Sequence, residues 1–309
     1  MSIKKINTIF IGTPDFGVLS LKELLKDEYF NVLATITQPD KKIGRKQIVS
    51  FSPIKTEAIK NNIPVYQPKN INKFDFSIIN KNIDIIIVIA YAQIISEKIL
   101  NLPKYGCINV HASLLPKYRG ASCIQSAILN KDKKTGVTIM KIDKGLDTGP
   151  ILSQNSININ NRDTAGKLFE KLSKLGAELL IKTLKKYIDN KIIPQKQDNK
   201  KSSYVGLLKK EDGKIDFTKN AEYIERHIRA MSPWPGAFFE IKLKNKNKKI
   251  KIIKAKKIIK AKNNNKLFIH NNQLAMQCNQ NALIIEKLQI EGKKEISAIE
   301  FINGYKNIL

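Results

Sequence analysis

The sequence is poor in the residues that build a disulfide framework, a structural zinc site or a membrane anchor. Its three cysteines, Cys107, Cys123 and Cys278, lie far apart and include no C-x-x-C pair, which disfavours disulfides and zinc ligation and fits a reducing compartment. The longest apolar run, residues 85–92, has eight residues, whereas a membrane-spanning helix needs about 20. The first residues also lack the apolar core and cleavage site of a signal peptide. We therefore expect a cytoplasmic protein.

Acidic residues are scarce as well. There are 27 of them against 55 basic residues, which gives a net charge of +28. Arginine is rare among the basic residues, with five in the chain: Arg45, Arg119, Arg162, Arg226 and Arg229. A charge of this size attracts polyanions, so nucleic acid is the first partner to consider. The chain is also rich in lysine, asparagine and isoleucine, as in an AT-rich genome, so part of the charge can reflect codon usage instead of function.

Apolar segments of strand length alternate with helical patterns through residues 1–190. Strands are predicted at residues 6–11, 32–37, 83–90, 107–110 and 137–142. A long helix is predicted from Asp163 or Thr164 onward, and its apolar face consists of Leu168, Leu172, Leu175 and Leu179. This alternation favours an α/β fold with a doubly wound, mostly parallel sheet. The 309 residues set an expectation of about two domains.

The composition changes near residue 190. Residues 191–207 are mostly polar and are predicted to link a domain at 1–190 to a second domain at 208–309. In the second domain one helical segment precedes several short strands, which favours a small OB-like β-barrel. Twelve lysines lie between Ile241 and Lys266, so we expect this domain to contact a polyanion. A solvated face is the plainer interpretation of the same charge.

The turn after the first predicted strand does not match a dinucleotide site. Residues 12–17 have glycine at both ends of a G-x-G-x-x-G spacing, but Pro14 replaces the middle glycine and has no N–H donor. No phosphate-binding G-x-x-x-x-G-K-[ST] loop occurs in the chain. The sequence therefore disfavours a dinucleotide oxidoreductase, and an ordinary strand-to-helix turn explains these glycines equally well.

The segment 108–121 contains the side chains with the clearest chemical potential. Asn109 and His111 are two apart on a predicted strand, so they point to the same side close to the strand's end. Open α/β sheets bind ligands beyond the carboxyl ends of their strands. Asp147 follows the next strand and can reach the same crevice, where a carboxylate would orient an imidazole. Taken alone, Asn-x-His is a weak signal, and an aspartate beside glycines is more often a turn residue.

Together with their neighbours, these residues resemble the folate-dependent formyltransferase family. The core match consists of Asn109-x-His111, Ser-Leu-Leu-Pro-x-Tyr-Arg-Gly at 113–120 and Gly-Leu-Asp-Thr-Gly at 145–149. Further matches lie at 10–16, 37–40, 44–45, 52–55, 204–209, 215–217 and 229–237. The resemblance implies a Rossmann-like domain that transfers a formyl group from 10-formyltetrahydrofolate. The further matches imply that the acceptor is the α-amino group of methionine on initiator tRNA.

The resemblance also implies roles for individual residues. Asn109 and His111 would donate to the tetrahedral oxyanion, and Asp147 would hold His111 and help remove the amine proton, directly or through water. The folate would be bound by two segments, namely Ser113, Leu114, Leu115 and Pro116, and Ile89, Ala90, Tyr91 and Ala92. Plain strand-end packing is the alternative for both segments. No metal and no covalent nucleophile are required, because the formyl group arrives already activated on the folate.

A basic loop between the second strand and the next helix is the expected RNA contact. It contains Lys41, Lys42, Arg45 and Lys46, and the resemblance implies that it enters the acceptor arm of the tRNA. Only Arg45 offers a guanidinium, which can bind a phosphate or a base edge bidentately. An ordinary solvated loop is the alternative. We expect the enzyme to be a monomer.

Three other interpretations compete with this one. A sugar-nucleotide formyltransferase would need neither the basic loop nor the acid-free stretch of the second domain. A glycinamide ribonucleotide formyltransferase would need no second domain at all. A non-catalytic RNA-binding protein on a decayed enzyme scaffold is disfavoured by the intact Asn109, His111 and Asp147.

Overall fold

The structure, a computed structural model, describes residues 5–43, 47–79, 81–243 and 246–306 and shows two compact units. The first contains the described residues of Met1–Gly120, Thr135–Ile157 and Phe169–Val205, and the second those of Ala121–Lys134, Asn158–Leu168 and Gly206–Leu309. The chain therefore passes between the units several times. The domain boundaries expected at 190 and 208 stay predictions.

Helices and strands are distributed along the whole described chain. The strands are β1 (Ile6–Gly12), β2 (Phe30–Ile36), β3 (Lys41–Ile43), β4 (Ile48–Ser50), β5 (Val65–Tyr66), β6 (Ile85–Ile89), β7 (Cys107–His111), β8 (Arg119–Gly120), β9 (Lys134–Lys141), β10 (Ile151–Asn158), β11 (Tyr204–Val205), β12 (Ala237–Leu243), β13 (Lys246–Ile259), β14 (Leu267–His270), β15 (Gln273–Gln277), β16 (Ala282–Ile290) and β17 (Glu295–Ser297). The α-helices are α1 (Val18–Lys26), α2 (Pro53–Lys60), α3 (Glu97–Leu100), α4 (Cys123–Leu129), α5 (Ala165–Ile188), α6 (Ala221–Ala230) and α7 (Ala298–Tyr305).

The first unit is built on a mostly parallel sheet with the strand order β10-β9-β7-β6-β1-β2-β5. β1 pairs in parallel with β2 and β6, and β6 pairs in parallel with β7. β9 is the exception, because it runs antiparallel to β7. All residues of β6 are buried, as expected for a strand covered on both faces. The sheet confirms the predicted α/β, doubly wound, mostly parallel fold.

Helix α5 has 24 residues, and its buried face differs from the predicted one. That face consists of Leu168, Leu172, Gly176, Leu180 and Leu184. Leu175 and Leu179, which were predicted on it, are half-buried. Gly176 on the buried face lies close to the sheet, since a Cβ there would come within 2.9 Å of Val110 on β7. No helix among the described residues is both long and apolar enough to cross a membrane.

The second unit contains an antiparallel six-stranded sheet in the order β12-β13-β16-β15-β14, with β17 paired to β16. Ile250 and Ile252 on β13 are buried, whereas Lys249, the residue before Ile250 on the same strand, is exposed. This alternation places the apolar residues in the core and leaves lysines outside. The prediction of a small β domain after the α/β domain is confirmed, and its sheet forms a half-barrel.

Two segments that were predicted as irregular are more ordered than their composition suggests. Within residues 38–52, predicted as a loop, β3 pairs antiparallel with β4 to form a short hairpin. Within residues 191–207, predicted as a linker, the side chain of Gln197 is buried and β11 pairs with β8. Polar composition predicts exposure, but a polar side chain can be buried when hydrogen bonds satisfy it.

Candidate active site

Strand β7 places two of the predicted catalytic side chains on one face of the sheet. Side chains alternate along a strand, so Asn109 and His111 share a face, while Val110 points to the opposite face and packs near α5. Asn109 is half-buried and His111 is only 7% exposed. Both side chains are therefore held by the sheet and shielded from bulk water.

Asp147 reaches these residues by a different route from the one expected. Because β9 is antiparallel to β7, Ile108 lies opposite Lys141, and the end of β9 is not beside the end of β7. The loop after β9 returns along the sheet instead, as shown by the bond from the Lys141 amide to the Pro150 carbonyl (3.0 Å). Gly149 permits this return, since a Cβ there would lie 1.9 Å from the Lys141 carbonyl oxygen.

The carboxylate of Asp147 lies beside three nitrogen atoms. Its Oδ2 accepts a 2.7 Å hydrogen bond from the Gly120 amide and lies 3.6 Å from His111 Nδ1. Its Oδ1 is 3.5 Å from Asn109 Nδ2. The structure thus brings together the three residues predicted to be catalytic.

The imidazole of His111 contacts protein groups at both nitrogens. Nε2 lies 2.9 Å from the Tyr118 carbonyl oxygen. A carbonyl oxygen only accepts hydrogen bonds, so Nε2 is the donor and keeps its proton. Nδ1 faces Asp147 and is the ring atom that can exchange a proton in the crevice.

The turn at 113–116 was predicted to bind folate, and its side chains divide into two groups. The hydroxyl of Ser113 is fully buried and donates to the Lys117 carbonyl (2.6 Å), and Leu115 is also buried. Leu114 and Pro116 are half-buried and are the side chains of this turn that a ligand can touch. Ser113 and Leu115 shape the turn.

The segment 89–92, also predicted to bind folate, shows the same division. Ile89 and Tyr91 are buried, whereas Ala90 and Ala92 are exposed. The two alanines have φ values of +49° and +64°, a left-handed conformation that costs non-glycine residues about 1 kcal/mol or more and often marks functional loops. Burial raises the pKa of Tyr91 to about 12, so its hydroxyl stays neutral, and the Tyr91 carbonyl accepts from Gln38 Nε2 at 3.0 Å.

A buried hydrogen-bonded cluster beside Asp147 was not predicted. Arg119 is 1% exposed and donates to Gln197 and Asn199, while Gln197 donates to the carbonyls of Asp147 and Gly149. Arg119 lies in the segment 113–120 that resembles the family, and this position was the one indication in the sequence that it belongs to the site. Nothing in the local sequence distinguishes Gln197 from the other polar residues of the expected linker.

The predicted RNA-binding residues are only partly described. Lys41 and Lys42 are exposed on β3, and Arg45 and Lys46 lie outside the described residues. The neighbouring Asp40 forms an ion pair with Lys55, and the hydrogen bond from Lys55 lowers the pKa of Asp40. Asp40 is therefore already neutralised, which leaves the positive charge of the hairpin strand available to an anion.

Cysteine and metal chemistry find little support in the described part of the chain. All three cysteines are buried and outside any disulfide, and burial raises the pKa of Cys107 and of Cys278 to about 12. Both remain thiols at neutral pH, which makes them poor nucleophiles. The described residues contain no group of three or more His, Cys, Asp or Glu side chains placed to hold a metal ion.

Comparison with known families agrees with the geometry of this crevice. The family described as "Formyl transferase" matches residues 4–184. The chain belongs to the formyl transferase family. The C-terminal domain of formyl transferases matches residues 207–306, well beyond the last matching segment at 229–237. Membership confirms the resemblance inferred from residues 109–120 and 145–149.

Several formyl transferases are similar to the chain over nearly its whole length. The methionyl-tRNA formyltransferase of Lachnospira eligens is 41% identical, over 97% of this chain and 96% of that protein. That of Caldanaerobacter subterraneus subsp. tengcongensis is 44% identical, over 96% of both. Among solved structures, WlaRD, a sugar 3N-formyl transferase crystallised with dTDP and 5-N-formyl-THF, is 28% identical, with a TM-score of 0.65 over 94% of this chain and 99% of that one.

Proposed function

We propose that the protein transfers the formyl group of 10-formyltetrahydrofolate to the α-amino group of methionine on initiator methionyl-tRNA. The observation that carries the proposal is the cluster of Asn109, His111 and Asp147, in a chain 41–44% identical to methionyl-tRNA formyltransferases along almost its entire length. The product would be the formylated methionyl-tRNA that starts translation.

The reaction requires two kinds of help from the protein. The methionine nitrogen attacks the formyl carbon, a C–N bond forms, and the bond between that carbon and N10 of the folate breaks. The tetrahedral intermediate bears an oxyanion, and the attacking nitrogen must lose a proton while N10 gains one. Pre-positioned hydrogen-bond donors stabilise such an oxyanion by roughly 3–4 kcal/mol each.

Asn109 is the best-placed donor for the oxyanion. A side-chain amide has two N–H groups, and in this structure one of them is directed toward Asp147 Oδ1. The other is available to the formyl oxygen. His111 would act through Nδ1, which would take up the amine proton and could then donate it to the oxyanion, while its Nε2 stays bonded to Tyr118.

Asp147 would orient the imidazole of His111 and position the substrate amine beside it. Its carboxylate is fixed by the Gly120 amide, so it cannot rotate freely toward solvent. It therefore presents Oδ2 to His111 Nδ1 and Oδ1 to Asn109 Nδ2. A carboxylate at this point can accept the ammonium proton of the substrate, directly or through one water molecule.

The folate would contact the accessible parts of the two strand-end segments. Leu114 and Pro116 offer half-buried apolar surface, and Ala90 and Ala92 expose backbone in an unusual conformation. The buried members, Ser113, Leu115, Ile89 and Tyr91, would shape the pocket without touching the ligand. This division narrows the folate contacts from eight residues to four.

The tRNA would be held by exposed basic side chains. Lys41 and Lys42 lie on the hairpin that leads to Arg45 and Lys46, which we propose as further contacts. Among the described residues of 241–266 in the second unit, the exposed lysines without an ion pair to a carboxylate are Lys242, Lys246, Lys249, Lys260, Lys262 and Lys266. Each neutralised phosphate releases counterions, so binding should weaken as salt increases.

A direct assay tests the proposed function. The purified protein is incubated with 10-formyltetrahydrofolate and each of three acceptors: charged initiator methionyl-tRNA, charged elongator methionyl-tRNA and a dTDP-linked amino sugar. We expect rapid formylation of the initiator tRNA only. Formylation of the amino sugar alone would replace the proposal with the sugar-nucleotide alternative. No transfer to any acceptor would refute it.

We further propose that the enzyme acts as a monomer in the cytoplasm. Its cysteines are buried and unbridged, which suits a reducing compartment, and charged tRNA is a cytoplasmic substrate. Light scattering on the purified protein should give the mass of one chain. A stable dimer at micromolar concentration would contradict the monomer.

A further inference from the structure

A fully buried guanidinium lies within the first unit and is surrounded by neutral partners. Arg119 is 1% exposed. Its Nη2 donates to Asn199 Oδ1 at 2.8 Å and its Nη1 donates to the Tyr204 hydroxyl at 2.9 Å. Among the described residues no carboxylate forms an ion pair with it. A buried charge is costly unless it is well hydrogen-bonded, so these contacts have to compensate for the lost hydration.

The principal partner of the guanidinium is Gln197, whose side chain is saturated with hydrogen bonds. Its Oε1 accepts from Arg119 Nε at 3.1 Å and from Nη2 at 2.8 Å. Its Nε2 donates to the Asp147 carbonyl at 2.9 Å and to the Gly149 carbonyl at 2.7 Å. An amide side chain offers two donors and two acceptor sites, and all four are used here. Gln197 therefore connects Arg119 directly to the backbone that carries Asp147.

The Asp147 loop needs such a restraint. Asp147 has φ of +53°, which is unfavourable for a side chain other than glycine and persists only when the surroundings enforce it. The carboxylate is held by the amide of Gly120, the residue after Arg119. The backbone carbonyl of Asp147 accepts a hydrogen bond from Gln197. Gly120 thus holds the side chain of Asp147, and Arg119, through Gln197, holds its backbone.

We propose that Gln197 is a positioning residue for Asp147, and that Arg119 fixes Gln197 in the orientation this requires. The segment predicted as a linker would then be part of the active-site architecture. The inference rests on the proposed function, in which Asp147 takes part in formyl transfer. It adds a residue that acts through Asp147 without touching either substrate.

The Gln197→Glu substitution isolates the contact with the Asp147 loop. It keeps an oxygen for Arg119 but replaces the donor to two carbonyls with a second oxygen. We expect kcat for charged initiator tRNA to fall about 10- to 100-fold, as for a catalytic group displaced by about 1 Å. KM for 10-formyltetrahydrofolate should change less than about twofold, because Gln197 lies outside the folate segments. A kcat equal to that of the unmodified enzyme would overturn the proposal.

A double-mutant cycle separates positioning from a general structural effect. If Gln197 acts through Asp147, adding Gln197→Glu to Asp147→Asn should lower the single-turnover rate by less than about twofold, since coupled residues are not additive. A fully additive loss would overturn the proposal. The rate of the unmodified enzyme tests the proposed function separately, and the cycle can be measured on whichever acceptor that enzyme formylates.

Gln277 provides a matched control in the second unit. Its Nε2 also donates to two carbonyls, those of Cys278 (2.7 Å) and Asn281 (3.1 Å), and its Oε1 accepts from the Asn263 amide (2.9 Å). Gln277→Glu should lower the melting temperature without lowering kcat. An equal loss of kcat in both variants would refute a specific role for Gln197. If Gln197→Glu does not fold, Gln197→Met, which retains the volume, enters the same cycle with the same expectations.

Discussion

The crevice at β7 and the lysine-rich sheet of the second unit use charge in opposite ways. In the crevice, Asp147 is fixed by the Gly120 amide and lies within 3.6 Å of Asn109 and His111. In the second unit, Lys242 on β12 and Lys260, directly after β13, are exposed to solvent. Proton transfer and oxyanion stabilisation need fixed distances, whereas attraction of a polyanion needs only many charges nearby. We therefore expect large, non-additive mutational effects in the crevice and small, additive ones on the sheet.

The largest effects should follow loss of the crevice side chains themselves. Asn109→Ala and His111→Ala should each lower kcat by about 10²–10³, the usual loss for one oxyanion donor, and Asp147→Asn should be at least as damaging. Single-turnover formylation of charged initiator tRNA measures the effect. Asn31→Ala, which removes an amide from β2 in the same sheet, is the control and should leave kcat unchanged. Near-normal turnover in any crevice variant removes that residue from the mechanism.

Substitutions that displace the loop carrying Asp147 should cause the next largest loss of kcat. Gly149→Ala places a Cβ 1.9 Å from the Lys141 carbonyl oxygen, so the loop must shift, with a stability loss of about 1–3 kcal/mol and a fall in kcat of about 10- to 100-fold. Gly206→Ala is the control, because its Cβ meets no atom within 4 Å. Melting curves and kcat are compared. Equal kcat in both variants would mean that the position of Asp147 is not critical.

Arg45 should have an intermediate effect, confined to tRNA. Arg45→Ala should lower kcat/KM for charged initiator tRNA about tenfold, the loss expected for one charge-assisted hydrogen bond. Arg45→Lys should recover only part of this, because an ammonium cannot bind bidentately. Folate binding, measured by titration, should not change in either variant. An unaltered kcat/KM after Arg45→Ala would place tRNA selection elsewhere.

Individual lysines of the sheet should have smaller effects, and these should depend on their partners. Lys254 and Lys256 lie 2.7 and 3.9 Å from Glu286, so their charge is partly neutralised. Replacing Lys242 and Lys260 with alanine should flatten the salt dependence of tRNA binding by roughly 0.7–0.9 in log–log slope per lost phosphate contact. Replacing Lys254 and Lys256 should change it less. Identical slopes for the two pairs would show that net charge, and not position, determines binding.

The smallest predicted effect is on stability alone. His227 lies in the second unit with Nε2 bonded to the Asp212 carbonyl (2.8 Å) and Nδ1 buried without a partner. Burial lowers its pKa below 6.5 in the folded state, so the unfolded chain binds the proton more readily. Stability should therefore be lost as pH falls below about 6.5. His227→Gln should reduce this dependence in melting curves between pH 5 and pH 8, without altering kcat at pH 8.

The sequence alone predicted the parallel core and all three crevice residues, Asn109, His111 and Asp147. The mostly apolar segment 83–90 favoured a strand covered on both faces, and β6 within it is fully buried. The two-residue spacing of Asn109 and His111 placed them on one face, because side-chain alternation is a local property of any strand. The residues of the Gly-Leu-Asp-Thr-Gly segment at 145–149 resembled those of a known family, and the family match confirmed the resemblance.

Tertiary structure decided how the remaining parts come together. β9 runs antiparallel to β7, so Asp147 arrives by a returning loop and not from a neighbouring strand end. Gln197 contacts Arg119 across 78 residues of sequence, and its own neighbourhood is that of an ordinary polar linker. Local patterns report only on periodicity and turn chemistry. A buried polar side chain is specified by partners that meet only once the chain has folded. For that reason the contacts of Gln197 with Asp147 and Arg119 could not be predicted from the sequence.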